Sequence, residues 1–142
     1  MWLPDVNVLL YASQSGVPNH AVARQRLEAA FGSGVPVGLT WVALLGFLRL
    51  STNGRIFPVP MPVEEALRTV DGWLSHPSAT VLHPGSRHAA LLGALLLAAG
   101  AAGNLTTDAH LAAIAIEHGA TLASFDRDFA RFAGLRFEHL PA

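Results

Sequence analysis

Three aspartates fall where short apolar runs end. Asp5 follows Trp2-Leu3-Pro4, Asp126 follows Thr121-Leu122-Ala123-Ser124-Phe125, and Asp108 follows Leu105-Thr106-Thr107 at the start of a helical pattern. Asp128 stands two residues beyond Asp126. The chain has only ten acidic residues, so placing four of them at these junctions is a concentration of charge. Carboxylates brought together repel one another by several kcal/mol at low dielectric unless a cation holds them. With no cysteine in the sequence, ligation would be by oxygen, which suits Mg²⁺ or Mn²⁺ better than zinc. Each acid also has a local reading: Asp108 and Asp128 as helix caps, Asp126 as a turn residue. Asp5 is hardest to explain locally, because its charge sits among apolar neighbours and needs a partner.

The elements that must position these acids follow from periodicity. A short buried strand runs up to Asp5, and a helix over Val8-Leu9-Leu10-Tyr11-Ala12 follows it. A second helix spans 20–31, with Ala21, Ala23, Leu27, Ala30 and Phe31 inward and Arg24, Arg26 and Glu28 outward. Gly32-Ser33-Gly34 stops it. Val35 to Leu39 reads as a strand, and Thr40 caps a helix through Trp41, Leu44, Leu45, Phe47 and Leu48. Residues 53–60 form a loop, and Pro62 opens a helix with Val63, Leu67, Val70 and Leu74 on one face. Thr80 to His83 is a strand and 86–99 a buried helix. A further helix runs from Asp108 to Gly119, then a strand at 121–125, a helical turn through Phe129 and Phe132, and an edge strand at 136–139. Strands alternating with helices define an α/β fold with a short, mostly parallel central sheet flanked by helices. In such sheets ligands bind beyond the carboxyl ends of the strands, where Asp5 and Asp126 fall.

The bulk composition narrows the classes. The 142 residues fit a single domain over 1–142. All nine basic residues are arginine, which excludes a P-loop lysine or a Schiff base. A net charge of −1 gives no global basic surface, so any phosphate contacts must be local arginines. Arg49, Arg55 and Arg127 are the candidates, since arginine presents a planar fork to phosphate; each can equally be a solvated surface residue. The seven histidines include no pair at metal-ligand spacing. Trp2, Trp41 and Trp73 read as core. The apolar run 89–102 is too short to span a bilayer, and the start shows no secretory pattern, so the expected location is the cytoplasm. Charged residues make up 13% against 51% hydrophobic, which leads to the expectation that a partner, a second copy or both cover apolar surface.

Asp5-Val6-Asn7-Val8-Leu9-Leu10-Tyr11-Ala12 resembles the opening motif of VapC-like toxins, the PIN-domain ribonucleases of type II toxin–antitoxin systems. Thr106-Thr107-Asp108-Ala109-His110-Leu111-Ala112 and Thr121 to Phe129 resemble its closing motifs, and Gly46-Phe47-Leu48-Arg49-Leu50-Ser51 the segment between. The resemblance covers the chain in order and implies a PIN-like three-layer fold. It implies Mg²⁺-dependent endonucleolytic hydrolysis of RNA and a VapB-like antitoxin as partner, while the low charge content leads to the expectation of a homodimer. Asp5, Asp108 and Asp126 would be catalytic and would hold the metal, with Asp128 as an additional ligand. Thr107 and Ser124 would hydrogen-bond carboxylates, and Asn7 would orient Asp5, touch the phosphate or cap the helix after it. One departure stands out: many PIN domains carry a glutamate in the central helix, whereas no acid lies between Glu28 and Glu64 here. A PIN-like module that binds RNA or protein without cleaving it is the alternative. An α/β phosphatase would want Asp-x-Asp where this chain has Asp5-Val6-Asn7.

Overall fold

A computed structural model describes residues 1–141. Strands β1 (Trp2–Pro4), β2 (Val37–Leu39), β3 (Ala79–Val81), β4 (Thr121–Ser124) and β5 (Arg136–His139) form one sheet in the order β3-β2-β1-β4-β5. Every pairing is parallel. The helices are α1 (Val6–Ala12), α2 (His20–Gly32), α3 (Trp41–Ser51), α4 (Val63–Ser75), α5 (His88–Ala99) and α6 (Thr106–His118). Short 3-10 turns cover Gly103–Leu105 and Arg127–Arg131.

The sheet separates two apolar clusters, as the alternation of β1 shows. Trp2 packs with Val8, Leu9, Leu27, Leu44, Phe47 and Val70 from α1 to α4, while Leu3 packs with Leu95, Leu111, Ile114 and Phe129 on the opposite face. Successive strand side chains point to opposite faces, so a three-residue strand with all residues buried feeds both clusters. The three-layer α/β arrangement is the expected one.

The chain builds outward from β1 through β2 to β3, then returns to place β4 and β5 on the other side. The reversal lies between β1 and β4, the kind of position where strand ends part and leave a crevice. Pro4 sharpens it. Trp2 N donates to Pro36 O on the β2 side and Asp5 N to Ala123 O (2.9 Å) on the β4 side. By that alternation Pro4 would face β2, and it has no N–H to give. Registered pairing of β1 with β2 is confined to Trp2 and Val37, whereas β1 and β4 pair over three residues.

Several expectations about faces are corrected. Arg26 turns inward: its guanidinium lies 4.6 Å over the Trp2 ring and makes a bidentate pair with Glu138 at 2.6 and 2.9 Å. Ala21 is exposed. On α4 the buried pair is Ala66 and Val70, while Val63 and Leu67 are exposed. Trp41 is 45% exposed, not core. Helix α5 is apolar after His88, yet only Leu95 is buried in it, and Leu97 is 83% exposed. The layering explains this. Helix α6 lies between the sheet and α5, burying Leu111 through Ala115, and α5 is the outermost layer with one face to cover. No helix among the described residues is long and apolar enough to cross a membrane.

Candidate active site

Asp5 ends β1 and opens α1. Its backbone is extended (φ −70°, ψ 164°), and its Oδ1 accepts from Val6 N at 2.7 Å, so the carboxylate caps the helix. Its Oδ2 accepts from Ser124 Oγ at 2.8 Å. Ser124, the last residue of the adjacent strand β4, is fully buried. Its hydroxyl has one proton and two lone pairs, and all are used. The proton goes to Asp5, while the lone pairs accept from Asn7 Nδ2 (3.1 Å) and Asp126 N (3.0 Å). Asn7 also accepts from Phe125 N through Oδ1 at 3.3 Å.

Asp126 follows β4 and caps the 3-10 turn, its Oδ1 accepting from Asp128 N at 2.9 Å. Asp108 sits in the first turn of α6. The local capping readings therefore fail for three residues. Helix α6 starts at Thr106, with Leu105 at the cap position and no side-chain cap, so Asp108 is inside the helix. Asp5, not Asn7, caps α1, and Asp126, not Asp128, caps the turn.

The four aspartates share one field. Burial, then the charges of Asp5, Asp126 and Asp128, push the Asp108 carboxyl up to about 6, with Arg131 opposing. Burial also raises Asp5, against the hydrogen bonds from Ser124 and Val6, and the charge of Asp126 adds to the rise. The protein alone thus disfavours full ionisation of this group. A hard divalent cation fits that deficit in charge and in donor type, with Asp5, Asp108, Asp126 and Asp128 offering only oxygen. Among the described residues no three acids, histidines or cysteines are already drawn together as a metal-holding group.

The other expected residues divide. Ser124 and Asn7 are at the centre of the site. Thr107 is exposed, and no hydrogen bond joins it to a carboxylate among the described residues. Arg49, Arg55 and Arg127 are exposed and form no ion pair with these acids among the described residues. The arginine that does reach the cluster is Arg131, 3.9 Å from Asp128 Oδ1. Its i,i+3 spacing from Asp128 was the available signal. Within the acid-free central helix, Gly46 is close-packed: an added Cβ there would stand 2.9 Å from Val6 Cγ2, next to Asp5. His110 hydrogen-bonds His88 (2.9 Å), and His118 binds the His83 carbonyl (2.8 Å).

A parallel sheet with aspartates gathered at its switch point, ordered around a buried serine, defines the class, and sequence comparison gives the family. The PIN domain pattern matches residues 3–135. The chain is 44% identical over 142 residues to ribonuclease VapC37 of Mycobacterium tuberculosis, covering 100% of this chain and 99% of that one. Ribonuclease VapC33 of the same organism is 42% identical over 137 residues, covering 96% of each. The chain belongs to the PIN-domain family, among the VapC proteins. Solved structures agree on the fold. VapBC2 of Rickettsia felis, bound to a DNA fragment from its promoter, superposes with a TM-score of 0.73 at 19% identity, covering 99% of this chain and 98% of that one. VapC20 of M. tuberculosis, a Sarcin-Ricin loop cleaving toxin, gives 0.68 at 18% identity, covering 96% and 99%.

Proposed function

We propose that this protein is the toxin ribonuclease of a type II toxin–antitoxin pair, hydrolysing RNA phosphodiester bonds internally with Mg²⁺, or Mn²⁺ in its place, in the cytoplasm. The observation that carries the reading is the convergence of Asp5, Asp108, Asp126 and Asp128 in one field, in a chain matched end to end by a ribonuclease.

Asp5, Asp108 and Asp126 would hold the cation, with Asp128 as an additional ligand. A bound divalent cation supplies Lewis-acid charge stabilisation at the phosphorus and makes water a better nucleophile at neutral pH. The chain's own part is positioning. Ser124 fixes the Asp5 carboxylate, and the same hydroxyl holds the backbone at Asp126, so two acids from different strands share one anchor. In the hydrolysis, water adds to phosphorus, the bond to the leaving ribose oxygen breaks, and that oxygen takes up a proton. Arg131, beside Asp128, is placed to meet a phosphate; Arg49, Arg55 and Arg127 are exposed and can track the strand beyond it.

A VapB-like antitoxin and a second copy of the chain are the expected partners. An apolar cleft of about 420 Å³ between α1, α2 and α4, lined by Ala12, Leu27, Phe31 and Trp73, can take side chains of an antitoxin segment. Trp41 (45% exposed) and Leu45 (59%) lie one turn apart on α3 and offer a face for a homodimer.

The test compares RNA cleavage by the wild type with Mg²⁺, by the wild type with EDTA, and by Asp5→Asn and Asp108→Asn. Cleavage in the first sample alone is expected; equal activity in all four would overturn the metal mechanism. One observation favours a second reading, a PIN-like module that binds RNA or protein without cutting. No acid lies between Glu28 and Glu64, in the region where many PIN domains carry a glutamate. Tight RNA binding with no cleavage under any divalent ion would select it.

A further inference from the structure

We propose that Tyr11, Phe125 and His139 form a nucleobase-binding wall beside the carboxylates, a subsite for one unstacked base of a single-stranded RNA. The proposal deepens the ribonuclease reading and rests on it for the class of ligand.

The Tyr11 and Phe125 rings pack on each other at the edge of the apolar core, and the His139 ring, which packs on Phe137, meets Phe125 at its backbone carbonyl. Phe125 joins Ser124 to Asp126, so its ring leaves the chain between the buried anchor and a carboxylate. Its backbone is fixed on both sides: Asn7 Oδ1 accepts from its N–H at 3.3 Å, and its carbonyl accepts from His139 Nε2 at 3.2 Å. Tyr11 lies one turn beyond Asn7 on the same face of α1 and packs its ring on Phe125, centroids 5.4 Å apart at 57°. His139 ends β5, at the same end of the parallel sheet as Asp5 and Asp126. Its ring is exposed, while Tyr11 and Phe125 are half-buried. Among the described residues the Tyr11 hydroxyl has no hydrogen-bond partner, and it is not among the sealed polar atoms, so it meets water.

Such a wall matches what a base presents. Every base has a π face, and aromatic side chains bind it whatever the sequence. The wall also offers polar groups at its rim: the free Tyr11 hydroxyl, and Nδ1 of His139, an acceptor when Nε2–H donates to the Phe125 carbonyl. With a phosphate at the carboxylates, the attached nucleoside would fall against this row, which starts one residue from Asp126.

Tyr11 is the only tyrosine in the chain, which makes the test selective. The full-length Asp108→Asn protein, labelled with ¹³C on tyrosine, is titrated with a short single-stranded RNA and with an abasic ribose-phosphate oligomer of equal length. Fluorescence anisotropy reports total binding. The expected result is a shift of the Tyr11 ring signals with the base-bearing RNA and none with the abasic oligomer. Tyr11→Leu should weaken RNA binding about tenfold and leave abasic binding unchanged, and Tyr11→Phe should restore it. Equal shifts with both oligomers, or a silent ring while anisotropy shows RNA bound, would overturn the wall. Wild-type cleavage in Mg²⁺ is scored separately: a silent Tyr11 with cleavage intact rejects only the wall, whereas a base-dependent shift without cleavage rejects only the nuclease.

Discussion

The Ser124 hydroxyl donates to the Asp5 carboxylate across 2.8 Å, joining residues 119 apart in the chain at the ends of two neighbouring strands. Removing the hydroxyl strips Asp5 of a hydrogen bond and leaves Asn7 Nδ2 and Asp126 N without their acceptor. Ser124→Ala should keep the fold at a cost of about 1–3 kcal/mol, the range for unsatisfied buried polar groups. It should weaken divalent-ion binding about 10–100-fold, as loss of a ligand-orienting partner does. Chemical denaturation and titration calorimetry with Mn²⁺ check the two separately; unchanged Mn²⁺ affinity would remove Ser124 from the site.

Asp108 makes the metal-free protein sensitive to pH in a defined direction. Its carboxyl is raised to about 6 in the folded chain from an ordinary 3.8. Between those values the folded state holds a proton that the unfolded state has lost, so stability falls as pH rises through the window. In EDTA the melting temperature should therefore rise on going from pH 7 to pH 5. Asp108→Asn should be more stable than the wild type at pH 7, by about 1 kcal/mol after allowance for solvent screening of a half-exposed group. Saturating Mg²⁺ should erase the advantage of the variant. Thermal melts in the two buffers decide the matter, and a less stable Asp108→Asn in EDTA would contradict the charge-crowding account.

Gly46 is predicted to resist even alanine. Alanine gains about 1 kcal/mol in helix propensity over glycine. Against that, the new Cβ would stand 2.9 Å from Val6 Cγ2, and a β-branched side chain has little freedom to move. Overpacking of this kind costs about 1–3 kcal/mol, so Gly46→Ala should be net destabilising. Gly46→Glu, which puts an acid into the acid-free central helix, should be worse and should not improve cleavage. Denaturant melts of both variants provide the check.

The Arg26–Glu138 pair ties α2 to the edge strand β5. The hydrogen bond from Arg26 holds the Glu138 carboxyl below its ordinary range. A depressed carboxylate contributes stability above the unfolded value, and the contribution is lost as pH falls through the folded one. Glu138→Gln should therefore destabilise modestly at pH 7, by less than about 1 kcal/mol for a partly exposed pair. The gap to wild type should narrow toward pH 3. Parallel melts across that range test it, and a gap that widens with acid would refute it.

The order of elements, the α/β class and the acids at strand ends were determined by the sequence itself. Periods of two and 3.6 residues are local, and an aspartate that closes an apolar run is visible without coordinates. Ser124 and Asn7 could be named as neighbours of those acids, but not joined. Only the parallel pairing of β1 with β4 puts Ser124 Oγ on Asp5, because register is a relation between segments more than a hundred residues apart. Which apolar face is buried was likewise undecided. Val63, Trp41 and Leu97 have the character of core residues, yet they are exposed, since a helix buries only the side that meets a layer. Arg26 reads as a solvated charge until Trp2 and Glu138 are brought beneath it. Tertiary structure alone decided that Asp108, in the first turn of a helix and 103 residues from Asp5, lies near enough to feel its charge.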